Sequence, residues 1–298
     1  MASFIRLVPA VLALALVGGC ATTDAAPATP AATSSPAAQS SPAFAQLEKQ
    51  FNANLGVYVL DTGTGRSLAY RADDRFAYDS TYKLLMAGVL LKNDTDDDLA
   101  TLITYTKAEL QSYSPVTSQH VDTGMTVRNL IAAALQYSDN TAANLLLNQL
   151  GGPAGLQAAV RALGDTTTHV DRGEPGVNSS IPGDIRDTST PRALGTDLRG
   201  FVLGNWLPAA RRTLLTNLLL GNTTGGPYIR AGVPSGWKVA DKTGNGDYGS
   251  RNDIAVVWPP TGAPVIVSVL TNRKAGQNAG SADTLIADAT TAALTALT

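Results

Sequence analysis

The chain has 298 residues, a formal net charge of −2 from 22 Lys+Arg against 24 Asp+Glu, two histidines and one cysteine. So few Cys and His leave almost nothing with which to build a zinc site, and the absence of a basic surplus disfavours nucleic-acid binding driven by counterion release. The expected partner is a small molecule, and a nucleophilic serine would need an activator other than His120 or His169.

Behind Arg6, residues 7–19 form an apolar stretch too short to span a bilayer, which reads as a signal peptide. It ends in Val17-Gly18-Gly19-Cys20, which resembles a bacterial lipobox; in such a motif the cysteine takes a lipid and becomes the first mature residue. Ordinary signal-peptidase cleavage is the alternative. Residues 21–42 are dense in Ala, Pro, Ser and Thr without an apolar period, the composition of a linker. The expected organisation is therefore a signal segment over 1–19, a lipidated Cys20 with linker over 20–42, and one catalytic domain over 43–298. Such a protein would sit on the outer face of the bacterial cytoplasmic membrane through its lipid alone, or be released after cleavage.

Residues 43–53 carry apolar side chains at helical spacing, and 56–60, 62–65 and 66–71 read as strand, tight turn and strand. Asp79 precedes a run over 80–92 that is apolar on nearly all sides, which predicts a buried, central helix with an aspartate cap. Helical patterns follow at 126–137, 141–150 and 154–163. The stretch 164–190 has no clear period, and a loop of that length in a compact domain tends to be functional. Helices resume at 191–203, with Pro191 in the first turn, and at 207–220; strands are expected at 236–241, 253–258 and 264–271, and a last helix from 281. Strands at both ends with helices between predict an α+β fold: an antiparallel sheet from the two termini (about 43–75 and 222–298) and an inserted helical lobe (about 76–221). The ligand site is expected in the cleft between them.

Ser80 and Lys83 stand at i and i+3, on one face at the start of the buried helix. A desolvated lysine there can accept a hydroxyl proton, which supplies the base that imidazole does not. The same spacing recurs at Ser235 and Lys238, where strand context sends the side chains apart. Ser138-Asp139-Asn140 breaks two helical patterns and offers a hydroxyl and a carboxamide, although Ser, Asp and Asn also favour caps. Lys242-Thr243-Gly244 ends a strand, pairing a cation and a hydroxyl with a glycine that lets a ligand approach the backbone.

In this order the three motifs resemble those of class A β-lactamases and penicillin-binding proteins, and the likeness to a class A β-lactamase extends over residues 43–298. That resemblance implies attack by Ser80 on the lactam carbonyl, with Lys83, or Glu174 through a water, taking its proton. Ser138 would pass a proton to the leaving nitrogen, and the backbone N–H groups of Ser80 and Asn245 would form an oxyanion hole. Asn140 would bind the substrate's side-chain amide, Lys242, Thr243 and Arg251 its carboxylate, and Tyr113 would wall the site. Within the long loop, Arg172-Gly173-Glu174-Pro175-Gly176-Val177-Asn178 matches the family's omega loop. There Glu174 would be the deacylating base, Asn178 would help hold the water, Glu174-Pro175 would be cis, and Arg172 would pair with Asp187. Asn245 and Gly176-Val177 depart from the commonest pattern, which leaves spectrum and rate open. No cofactor or metal is implied, and a monomer is expected. A D,D-peptidase of the same fold and a non-catalytic, β-lactam-sensing lipoprotein are the competing readings.

Overall fold

The computed structural model describes residues 42–297. The expected signal segment, Cys20 and the linker up to residue 41 lie outside the described residues. A first helix, α1 (Pro42–Phe51), leads into a hairpin of β1 (Ala53–Asp61) and β2 (Ser67–Tyr70), followed by β3 (Phe76–Ala77). The middle of the chain forms α2 (Tyr82–Asn93), α3 (Asp96–Ala100), β4 (Leu102–Ile103), β5 (Met125–Thr126), α4 (Val127–Gln136), α5 (Asn140–Gln149) and α6 (Gly152–Ala162). After the long loop come β6 (Thr188–Ser189), α7 (Pro191–Val202), α8 (Ala209–Leu220) and α9 (Ile229–Gly232). The chain closes with β7 (Lys238–Asn245), β8 (Arg251–Trp258), β9 (Val265–Arg273) and α10 (Asp283–Leu297).

Five strands make one antiparallel sheet in the order β2-β1-β9-β8-β7, so both ends of the domain contribute to it, as the α+β reading requires. Strand periodicity divides the apolar residues between two cores. Val265, Val267 and Val269 of β9 and Ala255 and Val257 of β8 face Phe44 of α1 and Leu285, Ile286 and Ala289 of α10. Their neighbours Ile266, Leu270, Ile254 and Val256 face the other way, into the core shared with the helices.

That second core is built around α2, whose residues from Tyr82 to Leu91 are all buried. A helix apolar all round has no solvent face and must be enclosed, and α4, α5, α6, α7 and α8 enclose it. Gly88 is where α7 comes closest: a Cβ there would stand 2.6 Å from the Phe201 ring. Helix α7 itself lies against β1, β8 and β9, with Gly195 close to Tyr58 and Ile266.

Two details differ from expectation. Asp79 does not cap α2; it opens a short 3-10 turn, Asp79–Thr81, and its carboxylate accepts from residues distant in sequence. The last sheet-edge segment continues past residue 241 to Asn245, because Asn245 still pairs with Arg251 across the ladder, so Lys242-Thr243-Gly244 lies inside a strand. Sequence periodicity also passed over the segment between α2 and α4, where Thr95 and Asp98 form a reciprocal capping box on the five-residue α3. Among the described residues no helix is long and apolar enough to cross a membrane.

Candidate active site

Ser80 sits in the 3-10 turn and Lys83 in the first turn of α2, both buried. Their neighbours come from four other parts of the chain. Ser80 Oγ donates to Glu174 Oε1 at 3.3 Å, and Lys83 Nζ lies 2.9 Å from the same oxygen, with both charged side chains fully buried. Lys83 Nζ also donates to Asn140 Oδ1 at 2.7 Å and to the Ser138 carbonyl at 2.8 Å. Burial pushes the Lys83 ammonium below its usual value, and Glu174 partly offsets this.

Ser138 occupies the break between α4 and α5 with φ of 58°, a left-handed conformation that costs a serine about 1–3 kcal/mol. Asp139 holds the break in place. It caps α5 by accepting from Ala142 N, and the same carboxylate accepts from Val116 N, Thr117 N and Thr117 Oγ1. The triplet therefore caps α5 through Asp139 while Ser138 and Asn140 remain bonded to Lys83. Asn140 N donates to the Tyr113 carbonyl at 2.8 Å, which brings Tyr113, 52% exposed, to the same end of α5.

Lys242 Nζ donates to Ser138 Oγ at 3.1 Å, so β7 and the α4–α5 break meet at one hydroxyl. Burial, followed by repulsion from Lys83, lowers Lys242 to about 7. Gly244 lets the chain itself come close: a Cβ there would stand 2.6 Å from the Tyr78 carbonyl and 3.2 Å from Ser80 N, so the glycine lets the turn that carries Ser80 close on β7. That proximity sets the backbone of Ser80 beside the 244–245 segment. Thr243 Oγ1 bonds Thr224 Oγ1 at 2.6 Å, and Asn245 Oδ1 accepts from Tyr228 OH at 3.0 Å. Arg251 donates to the Ser250 carbonyl at 2.6 Å and stands 3.4 Å from Asp283, next to Asn245 in register but without a bond to Lys242 or Thr243.

The long loop is fastened at several points. Arg172 and Asp187 form an ion pair, Asp187 Oδ1 also accepts from Asp171 N and Arg172 N, and β6 pairs with β3. Glu174-Pro175 is cis. Asn178 Nδ2 donates to Glu174 Oε2, and Asn178 Oδ1 is buried with no protein partner. Sequence reading missed Asn144, whose carboxamide binds both backbone groups of Glu174, at 2.8 Å to N and 2.9 Å to O. It missed Thr224 and Tyr228 as well. Each is one polar residue in a helix or loop, and only its partner across the fold gives it meaning.

The arrangement can move a proton from Ser80 to a carboxylate, hold a second hydroxyl between two lysine side chains, and bring the backbone of Ser80 beside that of β7. Known proteins share both sequence and fold. Residues 39–297 match the profile of the family described as "Beta-lactamase enzyme family". A β-lactamase of Amycolatopsis lactamdurans is 55% identical over 254 residues, 85% of this chain and 84% of the relative. "Beta-lactamase 1" of Bacillus cereus is 54% identical over 247 residues, 83% and 80% of the two chains. The crystal structure of a class A β-lactamase from Clostridium kluyveri superposes with a TM-score of 0.84 at 49% identity, covering 86% of this chain and 97% of that one. That of a halotolerant bacterial β-lactamase gives the same TM-score at 47% identity, covering 85% and 98%. Likeness of this extent, in sequence and in fold together, makes the chain a member of the class A β-lactamases, hydrolases of the β-lactam ring.

Proposed function

We propose that this β-lactamase acts through an acyl-enzyme on Ser80, with Glu174 as the base for both acylation and deacylation. The observation that carries this reading is the direct hydrogen bond from Ser80 Oγ to Glu174 Oε1, on an oxygen that Lys83 also holds. Ser80 attacks the lactam carbonyl while its proton passes to Glu174. The carbonyl oxygen, now negative, is met by the N–H groups of Ser80 and Asn245, whose donation is strongest where water is excluded. Ser138, held between Lys83 and Lys242, gives its proton to the departing nitrogen and recovers one from Glu174 through Lys83, whose Nζ contacts both, which leaves Glu174 a carboxylate again. Glu174 then takes a proton from water, for which Asn178 Oδ1 offers an acceptor; the hydroxide adds to the ester carbonyl, and the acyl–Oγ bond breaks as Glu174 returns its proton to Ser80 Oγ.

Binding follows from the rim. Lys242 and Thr243, with Arg251 behind them, suit the substrate carboxylate; Asn140 and the backbone of Asn245 suit the side-chain amide, which pairs with β7 as an added strand; Tyr113 closes one wall. No cofactor enters. In Ser80→Ala, hydrolysis of a chromogenic cephalosporin should vanish. In Glu174→Ala, turnover should fall by about 10²–10⁴-fold, with the acyl-enzyme visible by mass spectrometry. Undiminished activity in Ser80→Ala would sink the scheme.

The lipid anchor belongs to the same proposal. Its support is the position of the chain's only cysteine, Cys20, at the end of the apolar leader and ahead of a linker. A monomeric catalytic domain would then work at the outer membrane surface. Mass spectrometry of the mature N-terminus should find a lipid-modified Cys20; an unmodified terminus beyond residue 20 would overturn it.

A further inference from the structure

Asp79 stands immediately before the proposed nucleophile and has no part in the proton transfers above. Its carboxyl is completely buried, and its backbone is held at φ of 49°, in the left-handed region. Among the described residues no basic side chain pairs with it. Instead Oδ1 accepts from Ser180 Oγ at 2.7 Å, while Oδ2 accepts from Ser250 Oγ at 2.6 Å and Asn252 Nδ2 at 2.8 Å. Ser180 follows Asn178 on the loop that carries Glu174; Ser250 precedes Arg251 on the connection from β7 to β8. The same two segments are bonded by Asp247 N to the Asn178 carbonyl at 2.9 Å. A Cβ at Gly246 would overlap Asp79 Oδ1 and Ser180 Oγ, so the connection is pressed against this carboxyl with no room for a side chain.

An ionised carboxylate buried without a cation is costly. A side chain that merely filled this space would need no charge, and a helix cap would bond α2, which Asp79 does not. What its two oxygens do is receive donors from the loop that carries Glu174 and from the turn and strand around Arg251.

We propose that Asp79 is a positioning residue for the β-lactamase reaction: its carboxylate ties the Glu174 loop and the Arg251 connection to the nucleophile turn, and uptake of a proton loosens that tie. The inference rests on the roles given above to Ser80 and Glu174. Charge-assisted hydrogen bonds are about twice as strong as neutral ones, so the neutral acid grips less. One serine hydroxyl must also turn to accept the new proton, and Ser180 has a second acceptor at hand in the Asn178 carbonyl at 3.3 Å. The group is poised to titrate in the working range. Burial first, and the charge of Glu174 as well, favour the protonated form; Ser250, Ser180 and Arg251 oppose it, and Asp79 comes to about 7. Protonation lies on the acid side, so activity is lost as pH falls through this value.

The test is kcat against pH, from about pH 5 to about pH 9, for the wild type, Asp79→Asn, Ser180→Ala and Ser250→Ala. The wild type should show an acid limb centred near 7. Asp79→Asn, which cannot ionise, should lack that limb and run roughly tenfold slower at alkaline pH. Each serine variant removes a donor that favours the carboxylate, so each should move the limb to higher pH. Wild-type rate and limb in Asp79→Asn, or an unmoved limb in both serine variants, would overturn the proposal. Should Asp79→Asn not fold, as judged by circular dichroism, the serine variants decide. Failure of the parent reading looks different: the wild type itself would form no acyl-enzyme on Ser80.

Discussion

Two buried ammonium groups, Lys83 and Lys242, approach a single hydroxyl, Ser138 Oγ, at 3.4 and 3.1 Å. Like charges so close in a dry site weaken each other's hold on a proton, and Lys242, at about 7, yields within the physiological range. Only its protonated form attracts a carboxylate. As pH rises through about 7, KM for a penicillin should therefore rise, by roughly tenfold, the worth of one hydrogen bond to a charged group. Lys242→Arg, charged at every pH, should flatten that dependence; a pH series of KM for both proteins checks it. At this scale the sequence was most informative for Ser80, Lys83, Ser138, Asn140, Lys242 and Glu174, because each belongs to a short string whose residues stay neighbours when folded. It was silent on Asp79 in its real role, since Ser250 is 171 positions away and no local pattern links them. The aspartate before a helix was a sound cap signal; stronger donors elsewhere won it.

The long loop between α6 and α7 lacks a period because scattered single bonds hold it, with only a 3-10 turn at Gly176–Ser179 and the two-residue pairing of β6 with β3 as regular structure. Glu174, the proposed base, depends on a helix other than the one that leads into the loop: the Asn144 carboxamide of α5 satisfies both its backbone groups. Asn144→Ala would leave that N–H and C=O unpaired, a cost of about 1–3 kcal/mol for each buried group, which the loop can avoid only by moving Glu174. Single-turnover measurements should show deacylation slowed by roughly 10- to 100-fold, more than acylation, with the acyl-enzyme accumulating. The buried run of α2 and the strands β8 and β9 were legible because each is a continuous apolar run. The start of α2 and the end of β7 were not, since both are set by what packs against them: Gly244 meets Tyr78 and Ser80, and Asn245 finds its partner in Arg251.

Over the whole molecule, the buried acids shape stability as well as catalysis. Asp79, Asp197 and Asp253 are all pushed upward, with burial the first cause in each, and Asp197 Oδ2 and Asp253 Oδ1 have no protein partner. The folded chain thus holds protons that the unfolded chain has already released. This contribution to stability is complete below the ordinary aspartate value of about 4 and is lost as pH rises through the folded values, about 7 for Asp79. Tm should be higher at about pH 5 than at about pH 8, and Asp197→Asn, neutral at both, should narrow the gap; calorimetry at the two pH values decides it. That both ends of the chain build one sheet was open to the sequence, whereas the pairing of distant carboxyls with distant donors was not. The sheet order has one more consequence. β7 is an outermost strand, so one side of its backbone has no strand neighbour. The edge proposed to receive the amide of a substrate is also one to which an extended segment of another copy could add, seeding aggregates. The turn at Asp79–Thr81, close against Gly244, and the buried Lys242 crowd that edge. A variant that opened this cleft to larger antibiotics should therefore also uncover a strand edge able to pair with a second copy, read as a loss of solubility on concentration.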